Sequence, residues 1–173
     1  MEINRSEVLD MVENQYRVYD LIIFDADGTL RRCTVPGQKT PNRSDQWELI
    51  EGVRAGLKKI VWGSPRKGQT ALGIASNQAG IYYGYITRCT AYGLLIDMVE
   101  AAAGFSPVQG SVRLCPHGKE ENCSCRKPAP GMILQLIEFF QVHPSRTLFV
   151  GDMDSDRRAA ANAECRFLKP EDF

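Results

Sequence analysis

The sequence has no excess of either charge and no long apolar run. Lysine plus arginine and aspartate plus glutamate number 21 each, so no overall basic field attracts nucleic acid. No apolar run approaches the roughly 18 residues needed to cross a bilayer. The N-terminal stretch also lacks the cationic and then apolar layout of a signal peptide. These absences predict a cytoplasmic protein for which neither a membrane nor nucleic acid is an expected partner.

Internal repeats and low-complexity tracts are also absent from the sequence. Its 173 residues, of which 43% are hydrophobic, are enough to bury one core but too few for two full domains. We therefore expect residues 1–173 to form a single domain, and we expect that domain to act as a monomer.

Strand-like and helix-like patterns alternate along the chain. Short runs rich in β-branched and apolar residues predict core strands, and segments with helical periodicity lie between them. The strands are predicted at 20–25, 71–76, 111–115, 147–152 and 165–168, and the helices at about 47–61, 86–103, 131–142 and 155–163. Such alternation is typical of a parallel sheet covered by helices on both faces. A further amphipathic helix is predicted within residues 1–19, packed on the outside of the sheet.

Two segments have neither a strand pattern nor a helix pattern. Residues 31–46 are polar and broken by proline and glycine, which predicts a loop or a small hairpin flap directly after the first strand. Residues 115–130 have no apolar face to bury, and a long loop without internal order loses entropy on folding. Some other interaction must hold this second segment, and three of the six cysteines of the chain lie within it.

Acidic and polar residues follow several of the predicted strands. Asp25 and Asp27 come after the first strand, Ser76 ends the second and Asp152 follows the fourth. Ligands of an open parallel sheet bind beyond the carboxyl ends of its strands, so these carboxylates should share a crevice where their repulsion requires a cation. A hard ion such as Mg²⁺ suits carboxylate oxygens. A polar turn is the plainer interpretation of the first segment, whereas a calcium loop needs its glycine two positions after Gly28.

Four motifs occur in a fixed order along the chain. They are DADGT from Asp25, SNQ from Ser76, a lysine at 127 and GDMDSD from Gly151. In this order they resemble the motifs of the haloacid dehalogenase-type phosphatases, over most of the chain. SNQAGIYYGYIT, the cysteine cluster and CRKPAPGM are similar to the branch of heptose bisphosphate and histidinol phosphatases. The resemblance implies a three-layer α/β/α sandwich of Rossmann type with a central parallel sheet, and the short gaps between motifs leave no room for a large cap domain.

The resemblance also implies the chemistry, which is hydrolysis of a small phosphorylated metabolite. Asp25 is the implied nucleophile and forms an aspartyl phosphate. Asp27 protonates the leaving group and later takes a proton from water. Mg²⁺ is held by Asp25, Asp152 and the backbone carbonyl of Asp27. Asp156 is expected to steady the Asp152 loop or to cap the following helix.

Other motif residues are implied to bind the phosphoryl group or the rest of the substrate. Ser76 offers a hydroxyl and Asn77 a backbone N–H to the phosphoryl oxygens. Lys127 offsets the charge that spreads over those oxygens in the transition state. Gln78 and Arg126 are expected to contact the substrate. An N-cap pair before a helix and a solvated lysine are the plainer interpretations of these residues.

The cysteine-rich segment has the spacing of a metal site. Cys115 and His117 form one pair, Cys123 and Cys125 form a second pair, and five residues separate the two pairs. Three thiolates and one imidazole make a closed tetrahedral Zn²⁺ site without a position for a catalytic water. We therefore assign Zn²⁺ a structural role, which is to order the loop ahead of Lys127. Three incidental thiols near a histidine are the alternative.

The chain departs from this branch at three places. Ala26 stands where arginine is common, Tyr82 and Tyr83 stand where a small residue and an arginine are more usual, and Met153 stands where lysine is frequent. The missing cations weaken the assignment of a doubly phosphorylated sugar, whereas the hydrolytic residues are all present.

Basic residues of the flap are candidates to grip a second phosphate or a carboxylate. They are Arg31, Arg32 and Lys39, and solvated charges are the alternative. The leading hypothesis is a phosphatase that acts on a sugar phosphate or bisphosphate such as heptose 1,7-bisphosphate. The alternatives are a histidinol-phosphate phosphatase, a polynucleotide 3′-phosphatase and, in another class, a zinc-bearing binding module without catalysis.

Overall fold

A five-stranded parallel sheet forms the centre of the computed structural model, which describes residues 18–173. Its strands are β1 (Leu21–Phe24), β4 (Ala71–Asn77), β5 (Val112–Cys115), β6 (Thr147–Val150) and β7 (Arg166–Leu168). Across the sheet they lie in the order β5-β4-β1-β6-β7, all parallel. These are the five strands that the sequence predicts. All four residues of β1 are buried, as expected for a central strand covered on both faces.

Helices cover both faces of this sheet. They are α1 (Val53–Leu57), α2 (Arg88–Ala103), α3 (Gly131–Phe140) and α4 (Asp154–Asn162). Successive side chains of a strand point to opposite faces, so Ile22 and Phe24 pack in the core with α1 and α2. Leu21 and Ile23 pack in the other core with α3 and α4. The molecule is therefore the predicted three-layer α/β/α sandwich.

The prediction of a helix over residues 47–61 is wrong for most of its length. β3 (Trp47–Leu49) pairs antiparallel with β2 (Arg31–Cys33) in a two-stranded sheet, and only α1 is helical. The aromatic ring of Trp47 packs over the guanidinium of Arg31 at 5.9 Å, so cross-strand packing outweighs the helical periodicity of the local sequence. The hairpin flap thus extends to residue 49 and includes residues that the sequence assigned to the helix.

The described residues show no large cap over the site. The segments between the site-bearing strands form the β2–β3 hairpin, the helices and connecting turns, so no large cap is evident between residues 18 and 173. No helix in this part of the chain is long and apolar enough to cross a membrane. The helix predicted within residues 1–19 lies outside the described residues, apart from its last two positions.

Candidate active site

The predicted site residues gather at one edge of the sheet. Strands β4, β1 and β6 are neighbours and run parallel, so their carboxyl ends lie side by side. Asp25 follows β1, Ser76 and Asn77 end β4, and Asp152 lies two residues beyond β6. Strand β1 has β4 on one side and β6 on the other, so the strand order reverses at β1. Ligands of open α/β sheets bind at such a point, beyond the carboxyl ends of the strands.

Lys127 lies between two buried carboxylates in this crevice. Its Nζ is 2.5 Å from Asp25 Oδ1 and 2.7 Å from Asp156 Oδ1. The three residues have relative exposures of 4%, 6% and 1% in the order Lys127, Asp25 and Asp156. A buried charge is tolerated only when it is paired and hydrogen-bonded. Each member of this group therefore depends on the others to remain in the interior.

The pKa values of Asp25 and Lys127 reflect this arrangement. Burial raises the pKa of Asp25 to about 7, against the attraction of Lys127, and repulsion from Asp156 adds to the rise. Burial alone would lower the pKa of Lys127, but Asp25 and Asp156 outweigh it and the net pKa is raised. Lys127 therefore stays protonated, whereas the ionised form of Asp25 needs more positive charge nearby to be stabilised.

Carboxylates also form a cluster that fits a divalent cation. Asp25, Asp152 and Asp156 each offer a carboxylate oxygen, and these oxygens lie within 4.8 Å of one another. Thr29 donates its hydroxyl to Asp152 Oδ1 at 3.3 Å. A Cβ on Gly28 would lie 2.4 Å from Asp152 Oδ2, so the absence of a side chain at residue 28 lets the Asp152 carboxylate lie close to the backbone there. Hard oxygen donors of this kind suit Mg²⁺.

Both carboxylate oxygens of Asp156 already have partners. Oδ1 pairs with Lys127, and Oδ2 accepts the backbone N–H of Met153 at 3.0 Å. Met153 precedes α4, so Asp156 ties the start of that helix and the lysine together. These contacts agree with the expectation that Asp156 steadies the loop after β6.

The carboxylate of Asp27 lies outside the metal-type cluster. Its Oδ1 accepts Nε–H of Arg31 at 2.8 Å, and its Oδ2 accepts the side-chain amide of Gln78, also at 2.8 Å. Gln78 is 2% exposed, and its Nε2 also donates to Ser76 Oγ at 2.9 Å. The proton-transfer role of Asp27 and the substrate contact of Gln78 stay predictions.

The side chain of Asn77 has both of its functional groups on Lys127. Asn77 Oδ1 accepts the backbone N–H of Lys127 at 3.0 Å, and Asn77 Nδ2 donates to the Lys127 carbonyl at 3.2 Å. The contact between the backbone N–H of Asn77 and the phosphoryl group stays a prediction. The side chain anchors the end of the cysteine-rich segment to the end of β4.

The four residues of the predicted zinc site are close together. Their ligand atoms lie within 4.8 Å of one another, with 3.6 Å between the sulfurs of Cys115 and Cys123 and 3.2 Å between His117 Nδ1 and Cys125 Sγ. Ligands at the usual zinc distances in a tetrahedron are roughly 3.3 to 3.8 Å apart. Burial raises the pKa of the Cys115 thiol to about 12, and a cation would favour its thiolate form. The donor set therefore fits Zn²⁺.

Arg126 is tied to the same loop. Its Nη1 donates to the carbonyl of His117 at 3.0 Å, and the side chain is half-buried. No contact in the described residues tests the prediction that Arg126 binds substrate. Arg126 directly precedes Lys127 in the chain, and its hydrogen bond keeps the guanidinium on the loop that holds the cysteines.

Arg31 is the residue whose position the sequence did not predict. The sequence predicts a flap cation that is either solvated or free to bind substrate, but Arg31 is 0% exposed and forms an ion pair with Asp27. Both alternatives are therefore wrong for Arg31. Arg32 pairs with Glu48 at the surface, and Lys39 is exposed.

Comparisons with known proteins identify a family and several similar chains. A family model described as HAD-hydrolase-like matches residues 124–168. The D-glycero-beta-D-manno-heptose-1,7-bisphosphate 7-phosphatase of Bordetella bronchiseptica is 30% identical over 145 residues, which cover 84% of this chain and 76% of the relative. The protein of the same name from Pseudomonas aeruginosa is 32% identical over 150 residues, which cover 84% of this chain and 78% of the relative.

A solved structure is similar as well. The crystal structure of D,D-heptose 1,7-bisphosphate phosphatase from B. bronchiseptica, complexed with magnesium and phosphate, matches with a TM-score of 0.67 and 29% identity, over 86% of this chain and 78% of that one. Sequence identity of 30% or more over three quarters of a relative, with the same fold, establishes family membership. The chain belongs to the haloacid dehalogenase-like phosphatases, which are hydrolases of phosphoric monoesters.

Proposed function

We propose that this phosphomonoesterase acts in two displacements, with the Asp25 carboxylate as nucleophile and an aspartyl phosphate as intermediate. The observation that carries the proposal is the contact of 2.5 Å between Lys127 Nζ and Asp25 Oδ1, in a site where both side chains are buried. A lysine fixed on a carboxylate can offset the negative charge of a phosphoryl group that arrives there. Division into two displacements lowers the barrier of each.

The phosphoryl oxygens are proposed to bind Ser76, the backbone N–H of Asn77 and Lys127. Ser76 Oγ already accepts a hydrogen bond from Gln78 at 2.9 Å, so its own proton is left to be donated to an acceptor such as phosphate. Asp27 is proposed to protonate the leaving oxygen in the first displacement and to take a proton from water in the second. Gln78 and Arg126 are proposed to contact the rest of the substrate.

The carboxylates of Asp25 and Asp152 are proposed to hold Mg²⁺ together with the backbone carbonyl of Asp27. Support comes from oxygens that lie within 4.8 Å of one another and from burial, which raises the pKa of both carboxyls. Both findings describe a site that is short of positive charge. When bound, Mg²⁺ supplies the charge that lets an anionic nucleophile and an anionic phosphate approach each other.

Zn²⁺ is proposed as a structural ion held by Cys115, His117, Cys123 and Cys125. Four protein ligands complete a tetrahedron, so no position is left for a reacting water. Free thiols of this kind persist in a reducing compartment, which supports a cytoplasmic location. All the side chains of the proposed sites belong to one chain, so a monomer suffices for the reaction.

The proposed substrate is a small phosphorylated sugar, with heptose 1,7-bisphosphate as the first choice. Support comes from the names of the relatives, of which the chain covers 76% and 78% at about 30% identity. The crevice has no cap over it in residues 18–173, so the flap and the cysteine-rich loop are the segments that can contact the sugar. Arg126 is the proposed partner of the second phosphate.

The test is phosphate release from a substrate panel, with and without Mg²⁺. The panel contains heptose 1,7-bisphosphate, histidinol phosphate, a 3′-phosphorylated oligonucleotide and p-nitrophenyl phosphate. We expect release to require Mg²⁺ and kcat/KM to be highest for the sugar bisphosphate. A clear preference for another member would overturn the substrate, and no Mg²⁺-dependent release from any member would overturn the enzymatic function in favour of a binding module.

A further inference from the structure

Asp27 is held by three N–H donors, two from Arg31 in β2 and one from Gln78 directly after β4. Arg31 Nε lies 2.8 Å from Oδ1, Gln78 Nε2 lies 2.8 Å from Oδ2, and Arg31 Nη2 reaches Oδ2 at 3.5 Å. The side chain of Asp27 is 11% exposed and that of Arg31 is 0% exposed. A carboxylate with donors on both oxygens has one orientation instead of the several that a free aspartate samples.

Arg31 is itself fixed on its other sides. Its Nη1 donates to the carbonyl of Leu94 in α2 at 2.8 Å, and its guanidinium packs over the ring of Trp47 in β3 at 5.9 Å. Asp27 is its ion-pair partner among the described residues. A buried guanidinium without that partner would be strongly destabilising. Arg31 therefore cannot turn toward a substrate. Any effect that it has on the reaction passes through Asp27.

Gln78 is fixed in the same way. Its backbone N–H donates to the carbonyl of Cys115 at 2.8 Å, and the side chain is buried with its amide nitrogen shared between Asp27 and Ser76. One side chain thus ties a proposed proton carrier to a proposed phosphate ligand. Together, Arg31 and Gln78 connect Asp27 to the flap, to α2 and to β4.

We propose that Arg31 is a positioning residue that, with Gln78, holds the Asp27 carboxylate as the base of the second displacement. The inference rests on the two-displacement function proposed above. In that step a water oxygen forms a bond to phosphorus and the bond from phosphorus to Asp25 breaks. One proton of the water moves to the Asp27 carboxylate, and inorganic phosphate leaves. N–H donors on both oxygens hold the Asp27 carboxylate in one orientation, and a base held in this way can take the proton without first having to be ordered.

The two displacements can be separated by the choice of leaving group. A p-nitrophenolate ion leaves without needing a proton, so the first displacement on p-nitrophenyl phosphate does not depend on Asp27. The second displacement is the same for every substrate and needs the base. Loss of Arg31 should therefore slow hydrolysis of the intermediate while formation of the intermediate from this substrate stays fast.

The experiment is a rapid-mixing assay of Arg31→Met with p-nitrophenyl phosphate and Mg²⁺. We expect a burst of about one equivalent of p-nitrophenolate per active site, followed by a steady state about ten- to a hundredfold slower than that of the wild type. This factor is part of the rate enhancement that general base catalysis contributes. A merely structural role would lower the active fraction and reduce burst and steady state together.

Arg43→Met is the matched control. Arg43 lies in the same hairpin and bonds Asp45 through the same atoms, with Nε to Oδ1 at 3.1 Å and Nη2 to Oδ2 at 3.3 Å, but both side chains are 69% exposed. This variant is expected to match the wild type. Arg31→Lys keeps a buried cation with fewer donors, and we expect it to show a smaller slowing with the same burst.

Two results with Arg31→Met would overturn the proposal. One is a steady-state rate equal to that of the wild type, and the other is a slower steady-state rate without any burst. Should Arg31→Met not fold, the burst must appear in Arg31→Lys or in Gln78→Met, and its absence from both overturns the proposal equally. Failure of the proposed function has a different signature, because the wild type itself would then release no p-nitrophenolate in response to Mg²⁺.

Discussion

The side-chain amide of Asn77 bonds both the backbone N–H and the backbone carbonyl of Lys127, at 3.0 and 3.2 Å. The two residues are fifty positions apart in the chain. This pair of hydrogen bonds joins the end of a central strand to the loop that follows the cysteines. Lys127 in turn reaches Asp25, so the position of the lysine depends on a residue that touches only its backbone.

Asn77→Leu should therefore act through Lys127. Loss of two hydrogen bonds at such a position costs about 1 to 3 kcal/mol, so we expect kcat to fall about ten- to a hundredfold. In a Lys127→Met background the same substitution should change kcat by less than about twofold, since the effects of coupled residues do not add. Steady-state kinetics of the four proteins test this, and equal effects in both backgrounds would contradict it.

Asn162→Ala is the control for that cycle. Asn162 donates to the carbonyl of Pro128 at 2.9 Å from an exposed position, so its loss removes one solvated hydrogen bond from the same loop. Exposed contacts of this kind contribute little to stability. We expect kcat to remain within about twofold of the wild type.

Asp25→Asn should abolish turnover and leave the fold intact. The amide has a similar shape but cannot attack phosphorus, and Lys127 keeps Asp156 as a partner at 2.7 Å. Phosphate release should fall to the background of the assay, with an unchanged circular dichroism spectrum. Residual activity above a hundredth of the wild type would exclude a nucleophilic role for Asp25.

The stability of the metal-free protein should decrease as pH rises toward 7. Burial raises the pKa of Asp25 to about 7 from the 3.8 of a solvated aspartate, so the folded state binds more protons than the unfolded state between these pH values. Its contribution to stability is complete below about pH 4 and is lost as pH rises through the folded pKa. Added Mg²⁺ should stabilise the protein more at pH 8 than at pH 5, because binding competes with the proton.

Thermal unfolding at pH 5 and pH 8 in a chelator measures this effect. Asp25→Asn is the matched control, because it lacks the titrating carboxyl and should lose less stability between these pH values. A wild type and an Asp25→Asn variant with the same pH dependence would show that Asp25 does not titrate in this range.

Zinc removal should disturb the loop ahead of Lys127 and leave the sheet intact. Cys123→Ser removes one of four ligands, so we expect metal analysis to fall well below one zinc per chain. Hydrogen exchange should rise over residues 115–127, and kcat should fall because Lys127 loses its support. Cys89→Ser is the control, since Cys89 is an exposed free thiol outside the cluster. A wild type that binds no zinc and has an ordered loop would contradict the structural role.

The positions of most of the site residues could be predicted because they depend on local patterns. A buried parallel strand is a short apolar run that ends in polar residues, which places Asp25, Ser76 and Asp152 at one edge of the sheet. The cysteine spacing is local too. The structure brings the acidic residues Asp25 and Asp152 together, and it brings the three cysteines of the loop together with His117.

Arg31 could not be placed in this way. Its burial depends on the backbone carbonyl of Leu94 and the ring of Trp47. Both residues lie far from Arg31 in the chain, so the sequence around Arg31 does not indicate these contacts. The same interaction explains the wrong helix, because Trp47 belongs to a strand that pairs with the strand of Arg31. Tertiary pairing decides both cases, and local periodicity cannot reveal it.

Gly28→Ala should weaken the metal site through Asp152. A Cβ at this position would lie 2.4 Å from Asp152 Oδ2, and the φ angle of Gly28 is +99°, which alanine rarely adopts. The Asp152 carboxylate must then move away from residue 28 and out of its present position in the cluster with Asp25. We expect the Mg²⁺ concentration for half-maximal activity to rise about tenfold or more, since a ligand displaced by an ångström or so loses much of its bond to a small ion with strict geometry.

Gly37→Ala separates the backbone effect from the clash. Gly37 also has a positive φ, +77°, but a Cβ there meets nothing within 4 Å. Its substitution should cost about 1 kcal/mol of stability and leave the Mg²⁺ requirement unchanged. If Gly28→Ala needed no more Mg²⁺ than Gly37→Ala at equal stability, the carboxylate of Asp152 would not be a ligand, because a displaced ligand must show in the titration.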